Sequence, residues 1–314
     1  MSYVGEPGGR VLIWCPEAVA RFERGMNVRS HLDCIPCLLR QALQAVRYAG
    51  ADEPVQETVT RRALALLREA DYSLSPPALA RQLHRLVREV TSADDPYAAI
   101  KEEYNAFALS LLPELEARIE ASEDPLEAAV RVAIAGNAID FGANSSVTHA
   151  YVRETIDRIL AAELDPGPMM ALREAVERAE RIAYFGDNAG EIVFDRVLIE
   201  HLPEGRVTYV VRGFPVINDA TVADAEAVGI DRVARVIDSG SDAPGTPPED
   251  CRSEVRELLE TADVVVAKGQ GNYETLCDVE RDIFFLLQVK CPVLARRVGC
   301  AVGSAVLSLG ACLD

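Results

Sequence analysis

Residues 181–200 read "RIAYFGDNAGEIVFDRVLIE", and this stretch decides the fold class. Ile182 to Phe185 is a short apolar run with no polar alternation, the pattern of a strand buried on both faces. From Glu191 the apolar residues return at helical spacing. A strand that runs directly into a helix is the unit of a parallel sheet. The link between them is unusual for a plain turn, which needs only one Asn-Gly or Asp-Gly pair. Here Asp187 and Asn188 stand side by side, followed by Gly190 and Glu191 at the start of the helix. Two adjacent oxygen-bearing side chains and an open helix N-terminus are thus presented where the strand stops.

Downstream the same grammar repeats. Apolar runs "RVTYVVR", "RVARVID", "DVVVAKG", "DIFFLLQV" and "SAVLSL" alternate with helical segments such as "DATVADAEAVG" and "PEDCRSEVRELLETA". Upstream, residues 26–180 read as helix after helix. In "CLLRQALQAVRYAG" the residues Leu38, Leu39, Ala42, Leu43 and Val46 recur at three and four. Pro76-Pro77 suits a helix start, and Pro113 is expected to kink or break a long helix. The expected architecture is α/β: a helical N-terminal domain over 26–180, then a three-layer α/β domain with a mostly parallel sheet over 181–314. Met26 opens a more typical protein start, so residues 1–25 read as an extension.

The chain has 314 residues, 49% of them hydrophobic, and a formal net charge of −18. That balance argues against nucleic acid, whose phosphates need clustered Lys and Arg, and against docking on anionic lipid. No segment reaches the roughly 18 uninterrupted apolar residues of a membrane span, and no signal peptide is read at the N-terminus. With eight Cys in a chain of this length and no export signal, reduced thiols and a cytoplasmic location are expected. The composition leaves the oligomeric state open.

In open α/β sheets ligands bind beyond the carboxyl ends of the strands. Four strand ends carry Gly with oxygen or ammonium groups: the Asp187 stretch, "RGFPVINDAT" with Asn218 and Asp219, "SGSDAPGT", and "KGQGNY" with Lys268 and Asn272. Any one alone would be a helix cap or a turn; four on one sheet edge point to a site. Asp187, Asn188 and Asp219 form an oxygen set suited to a hard divalent cation, Mg²⁺ or Mn²⁺ rather than Zn²⁺. Gly190 and the N–H groups after it open a helix whose positive end favours an anion. Lys268, carried to the sheet edge by "DVVVA" and flanked by Gly269 and Gly271, is expected to face a phosphate. The spacing of "GDNAGE" does not match the dinucleotide fingerprint.

"YFGDNAGEIVFD", "RGFPVINDAT", "SGSDAPGT", "AKGQGNYETL" and "KCPV" together resemble the damage-control phosphatase family, long catalogued as protein-of-unknown-function 89. "CIPCLLRQAL" and "GNAIDFG" at 136–142 are similar to its CxxC-bearing, mostly prokaryotic branch. The resemblance implies a metal-dependent phosphatase acting on small phosphorylated metabolites such as sugar phosphates, with a divalent cation (Mn, Mg, Co or Ni) held by Asp187, Asn188 and Asp219. It places Lys268 near the substrate phosphate and sets Asn137 and Asp140 facing the site from the helical domain. Asp187, Asp219 and Lys268 are then the expected catalytic residues. Asn137, Asp140, Gly190, Glu191, Asn218, Lys268 and Asn272 are the expected substrate contacts, with Asp219 or Glu191 orienting water. "RGFPV" departs from the expected small polar residue, which bears on substrate choice. Two other readings stand beside this one: an S-adenosylmethionine-dependent carboxyl methyltransferase, proposed for one branch, and a phospho-metabolite binding protein without turnover.

Cys34 and Cys37 open a helix, and with Cys291 and His31 they are a candidate second metal or thiol site; packed structural thiols are the competing reading.

Overall fold

Six apolar runs become six strands in the computed structural model, which describes residues 28–138, 148–162 and 166–310. They are β1 (Ile182–Phe185), β2 (Val207–Val211), β3 (Arg235–Asp238), β4 (Val264–Lys268), β5 (Phe284–Gln288) and β6 (Ala305–Leu309). Their order in the sheet is β3-β2-β1-β4-β5-β6. The first five strands pair in parallel, and β6 lies antiparallel on β5 at the edge. The sheet is therefore mostly parallel, as its unbroken apolar runs predict.

Among the described residues, seven helices precede the sheet: α1 (Cys34–Tyr48), α2 (Glu53–Glu69), α3 (Pro76–Thr91), α4 (Ala98–Glu120), α5 (Pro125–Ala138), α6 (His149–Leu160) and α7 (Pro166–Arg178). Five more lie among the strands: α8 (Glu191–Ile199), α9 (Val222–Ala227), α10 (Ser253–Thr261), α11 (Gly269–Leu276) and α12 (Pro292–Val298). Local signals account for several starts. Asp52 accepts the Val55 N–H at the head of α2, and Ser75 accepts that of Ala78 before Pro76 and Pro77 open α3. Pro113 does not break α4, which runs on to Glu120. Leu111, Leu115 and Ile119 are buried along it, and that packing carries the helix past the one backbone bond a proline removes.

Both faces of a parallel sheet need cover. Alternate strand residues divide between two apolar clusters. Ile182, Tyr184, Val264 and Val266 pack with α4 to α9, and Ala183, Phe185, Val265 and Ala267 with α10 to α12. Helices α4 to α7, read from sequence as part of a helical domain, thus share one core with a face of the sheet. Helix α5 is buried from Ala128 to Ala138 except at the half-buried Arg131, as a helix enclosed by others must be. Helices α1 to α3 form a third, separate core.

The strand order fixes where a ligand can sit. The chain goes from β1 outward to β2 and β3, then returns to β4 on the other side of β1. Such a switch opens a crevice beyond the carboxyl ends of the two central strands, here at Phe185 and Lys268.

Candidate active site

The loop after β1 and the loop after β2 meet through their backbones. Asn188 and Asp219 form an isolated antiparallel bridge. The Ala189 N–H donates to Asn218 O and the Ala220 N–H to Asp187 O, both at 2.8 Å. This pairing brings Asp187, Asn188 and Asp219 together from two strand ends, and both acids are buried.

Arg212, at the end of β2, spans the two acids. Its Nε donates to Asp219 Oδ2 at 2.7 Å, its Nη2 reaches Asp187 Oδ1 at 3.4 Å, and its Nη1 donates to Thr246 Oγ1 at 3.1 Å. The other oxygen of Asp187 receives Nδ2 of Asn188 at 2.8 Å and of Asn137 at 3.2 Å. Both amides also donate to Glu191 Oε2, each at 3.0 Å. Asn137 comes from the last turn of α5 and is fixed by the Gln288 N–H on its Oδ1. A Cβ at Gly269 would lie 1.8 Å from Asp187 Oδ2, and the φ of Gly269 is +76°. Only glycine admits the Asp187 carboxylate there.

A second layer of charge lies beneath. Lys268 Nζ donates to Glu191 Oε1 at 2.7 Å and to Asp195 Oδ1 at 2.5 Å. Tyr184 and Tyr209 hydroxyls donate to the two oxygens of Asp195 at 3.0 and 2.7 Å. Burial pushes Asp187 well above the usual carboxylate range, and the neighbouring Glu191 and Asp219 add to it despite Arg212. Burial also raises Asp219 against the pull of Arg212 and of a Gly245 N–H hydrogen bond. Glu191 differs. Burial would raise it too, but the ammonium groups of Lys268 and Lys290 outweigh that and hold it below its ordinary value. Lys268 is raised: burial opposes its charge, and Asp195 and Glu191 overcome it.

Several expected contacts are placed differently. Lys268 ends β4, but its ammonium has no exposure and faces two carboxylates rather than open solvent. Lys268 follows Val264 and Val266 on one face of the strand, so it points under α8. Residues 269–273, read as a loop, lie in α11 (Gly269–Leu276). Asn272 is therefore internal, its amide spent on the Phe185, Gly186 and Lys268 carbonyls and its oxygen on Thr246; it offers nothing to a substrate. Gly190 does not keep a free N–H for an anion, because Asn105 Oδ1 accepts it at 2.7 Å. Asn218 is buried at the loop junction. Asp140 lies outside the described residues.

The sequence reading missed Arg212, Asp195, Tyr184, Tyr209, Asn105 and Lys290. Signals existed for two of them. Asp195 is four residues after Glu191, on the same helical face, and Lys290 opens the "KCPV" segment just beyond β5. Lys290 is exposed, and its charge acts on both Asp187 and Glu191.

Among the described residues, no three His, Cys, Asp or Glu side chains stand as a metal would hold them. For Cys34, Cys37 and Cys291 this leaves free thiols. Cys34 and Cys37 lie in the first turn of α1, and Cys291 Sγ caps α12 by accepting the Leu294 N–H at 3.4 Å. His31 Nδ1 lies beside Asp33, at 3.2 Å from its carboxylate. The crevice presents a different donor set, two carboxylates and an amide. Asp187, Glu191 and Asp219 crowd one another out of water, a charge imbalance that a hard divalent cation would relieve. Asn188 offers an oxygen as readily as its nitrogen by a half-turn of the amide. The residues present fit such an ion.

The damage-control phosphatase ARMT1-like domain model matches residues 30–306. An uncharacterised protein of Methanocaldococcus jannaschii is 34% identical over 295 residues, 90% of this chain and 96% of its own. A damage-control phosphatase of Archaeoglobus fulgidus is 35% identical over 281 residues, 87% of this chain and 96% of its own. The crystal structure of a DUF89 family protein from Pyrococcus horikoshii superposes with a TM-score of 0.81 at 30% identity, covering 90% of this chain and 99% of that one.

Proposed function

The chain belongs to the ARMT1-like damage-control phosphatase family, and from that premise we propose that it hydrolyses small phosphorylated metabolites, sugar phosphates among them, with a divalent cation held by Asp187, Asn188 and Asp219. The observation that carries this reading is the meeting of those three residues at the switch between β1 and β4, through the Asn188–Asp219 bridge. When bound, the cation supplies polarisation of a phosphoryl oxygen and makes a nearby water easier to deprotonate.

The chain's own residues do the rest. Arg212 holds Asp187 and Asp219 in register with each other. Asn137 and Asn188 keep Glu191 aimed at the same point. Lys268 keeps Glu191 ionised, so a carboxylate stands ready to orient water through hydrogen bonding. Lys268 acts through Glu191, and Lys290, exposed and with a charge that lowers both Asp187 and Glu191, offers the phosphate contact expected of Lys268. Loss of substrate discrimination is expected first at Phe214, which is 55% exposed on the loop that carries Asp219.

The test strips the protein with a chelator and measures phosphate release from a panel of sugar phosphates, with Mn²⁺, Mg²⁺, Co²⁺ or Ni²⁺ restored one at a time. Turnover should require the added ion. Asp187→Asn should lower it by about a thousandfold, on the order of 4 kcal/mol of barrier, while keeping the fold, since it removes one of three crowded carboxylates. Full turnover in excess chelator would overturn the cation. Methyl transfer from S-adenosylmethionine, or binding with no turnover under any ion, would favour the two competing activities.

A further inference from the structure

The loops that bear Asp187 and Asp219 come from different strands, and their backbone pairing ends at Ala189 and Ala220. Beyond it the chain turns at Gly190, whose φ is +79°. That turn is held by Asn105, a buried residue midway along α4. Asn105 Oδ1 accepts the Gly190 N–H at 2.7 Å, and its Nδ2 donates to Asp224 Oδ1 at 3.1 Å. Asp224 is the acid that caps α9, the helix directly behind Asp219. Its Oδ2 takes the N–H and the hydroxyl of Thr221 at 2.9 and 2.7 Å. Lys101, one turn before Asn105 on α4, donates to the same oxygen at 3.0 Å. Tyr104 closes over Gly190, 3.0 Å from where its Cβ would be.

One amide therefore joins the turn after Asp187 and Asn188 to the cap after Asp219. We propose that Asn105 is a positioning residue that sets the separation of the two ligand-bearing loops and, through it, the affinity of the crevice for a divalent cation. It touches neither substrate nor ligand oxygens. The inference rests on the cation reading above, and it extends that site into a helix from the N-terminal half. A side chain that ties both loops restricts how far each can relax when like charges repel. An amide is suited to the task because it gives one acceptor and one donor at a fixed spacing.

The test measures Mn²⁺ affinity by titration calorimetry on the chelator-stripped full chain, for wild type, Asn105→Ala and a control, Val59→Ala. Val59 is buried in the separate core of α1 to α3, so the control loses stability without touching either loop. Asn105→Ala is expected to weaken Mn²⁺ by at least about tenfold, the usual effect of removing a group that orients ligands, with Val59→Ala unchanged. Asn105→Ser keeps a hydroxyl but cannot span both partners, so it should show the same loss and covers the case in which the alanine variant does not fold. Wild-type affinity in both Asn105 variants would overturn the inference while leaving the cation site standing. Equal weakening in the Val59 control would overturn it as well, by tracing the effect to global stability. If wild type itself binds no Mn²⁺, the cation reading fails and this inference falls with it.

Discussion

The core of helices α1 to α3 and the charged layer at the ends of β1 and β4 are both buried, yet opposite chemistries fill them. Among the described residues of the three helices, His84 is the one buried side chain with an ordinary charge equilibrium near neutrality. Its ring stands edge-on to that of Tyr97, centroids 6.3 Å apart, and its Nε2 has no hydrogen-bond partner. The crevice buries Asp187, Glu191, Asp195, Arg212, Asp219 and Lys268 together, each with partners of opposite sign or hydrogen bonds. A core built for stability alone would not gather six such groups, because desolvating ions costs more than their pairing returns in most settings. Charge is concentrated at the ends of the central strands, and apolar packing surrounds it.

The contrast can be broken most directly at Lys268. An exposed strand-end lysine could be removed with little effect on the fold. Buried between Glu191 and Asp195, it should behave otherwise. Lys268→Met leaves two carboxylates without their cation and should cost about 3–5 kcal/mol of stability, read from urea unfolding at neutral pH. A loss below about 1 kcal/mol would mean the ammonium is solvated.

His84 gives the next effect, with the sign set by burial. Burial, helped by the charge of Arg88, lowers it from 6.5 to about 4. The unfolded chain therefore binds the proton first as pH falls, and stability should drop between about pH 6.5 and 4 by up to about 3 kcal/mol. Many carboxylates titrate in the same window, so the measurement is the difference between wild type and His84→Leu. If the two unfolding profiles stay parallel from pH 7.5 to 4.5, His84 is not held neutral.

The smallest effect tests whether the two regions are coupled. Arg85 and Arg88 of α3 both pair with Asp242 in the loop after β3, and Arg85 is 58% exposed. Arg85→Ala leaves Arg88 in place and should cost about 0.5 kcal/mol, reduced further by salt. A loss several times larger would show that the α3 contact holds the loop and, through Thr246, the Arg212 clamp.

Much of this fold was legible because a strand buried on both faces cannot hide its apolar run. The antiparallel turn of β6 was not, since the run itself carries no direction. Asp187, Asn188 and Asp219 were expected to meet, and they do, because strand ends converge by topology. Lys268 was assigned to the right strand end but the wrong environment. Sequence locates where a strand stops, whereas the direction of its last side chain follows from parity along the strand and from what the covering helix offers. Parity with Val266 and the Glu191–Asp195 spacing held that answer. Asn105 left no local signal, because its partners lie 85 and 119 residues away.

The Asn137 contact has a consequence for how the protein is made. Its amide needs Asp187 and Glu191 on one side and the Gln288 N–H on the other, 151 residues further along. At about 5–20 residues/s of synthesis, roughly 8–30 s pass between the emergence of Asn137 and of Gln288. Until β5 emerges Asn137 lacks its Gln288 partner, although α4, α6 and α8 have already been made and can cover the apolar residues of α5. The hold of Asn137 on Asp187 and Glu191 is therefore completed only when nearly all of the chain has been made.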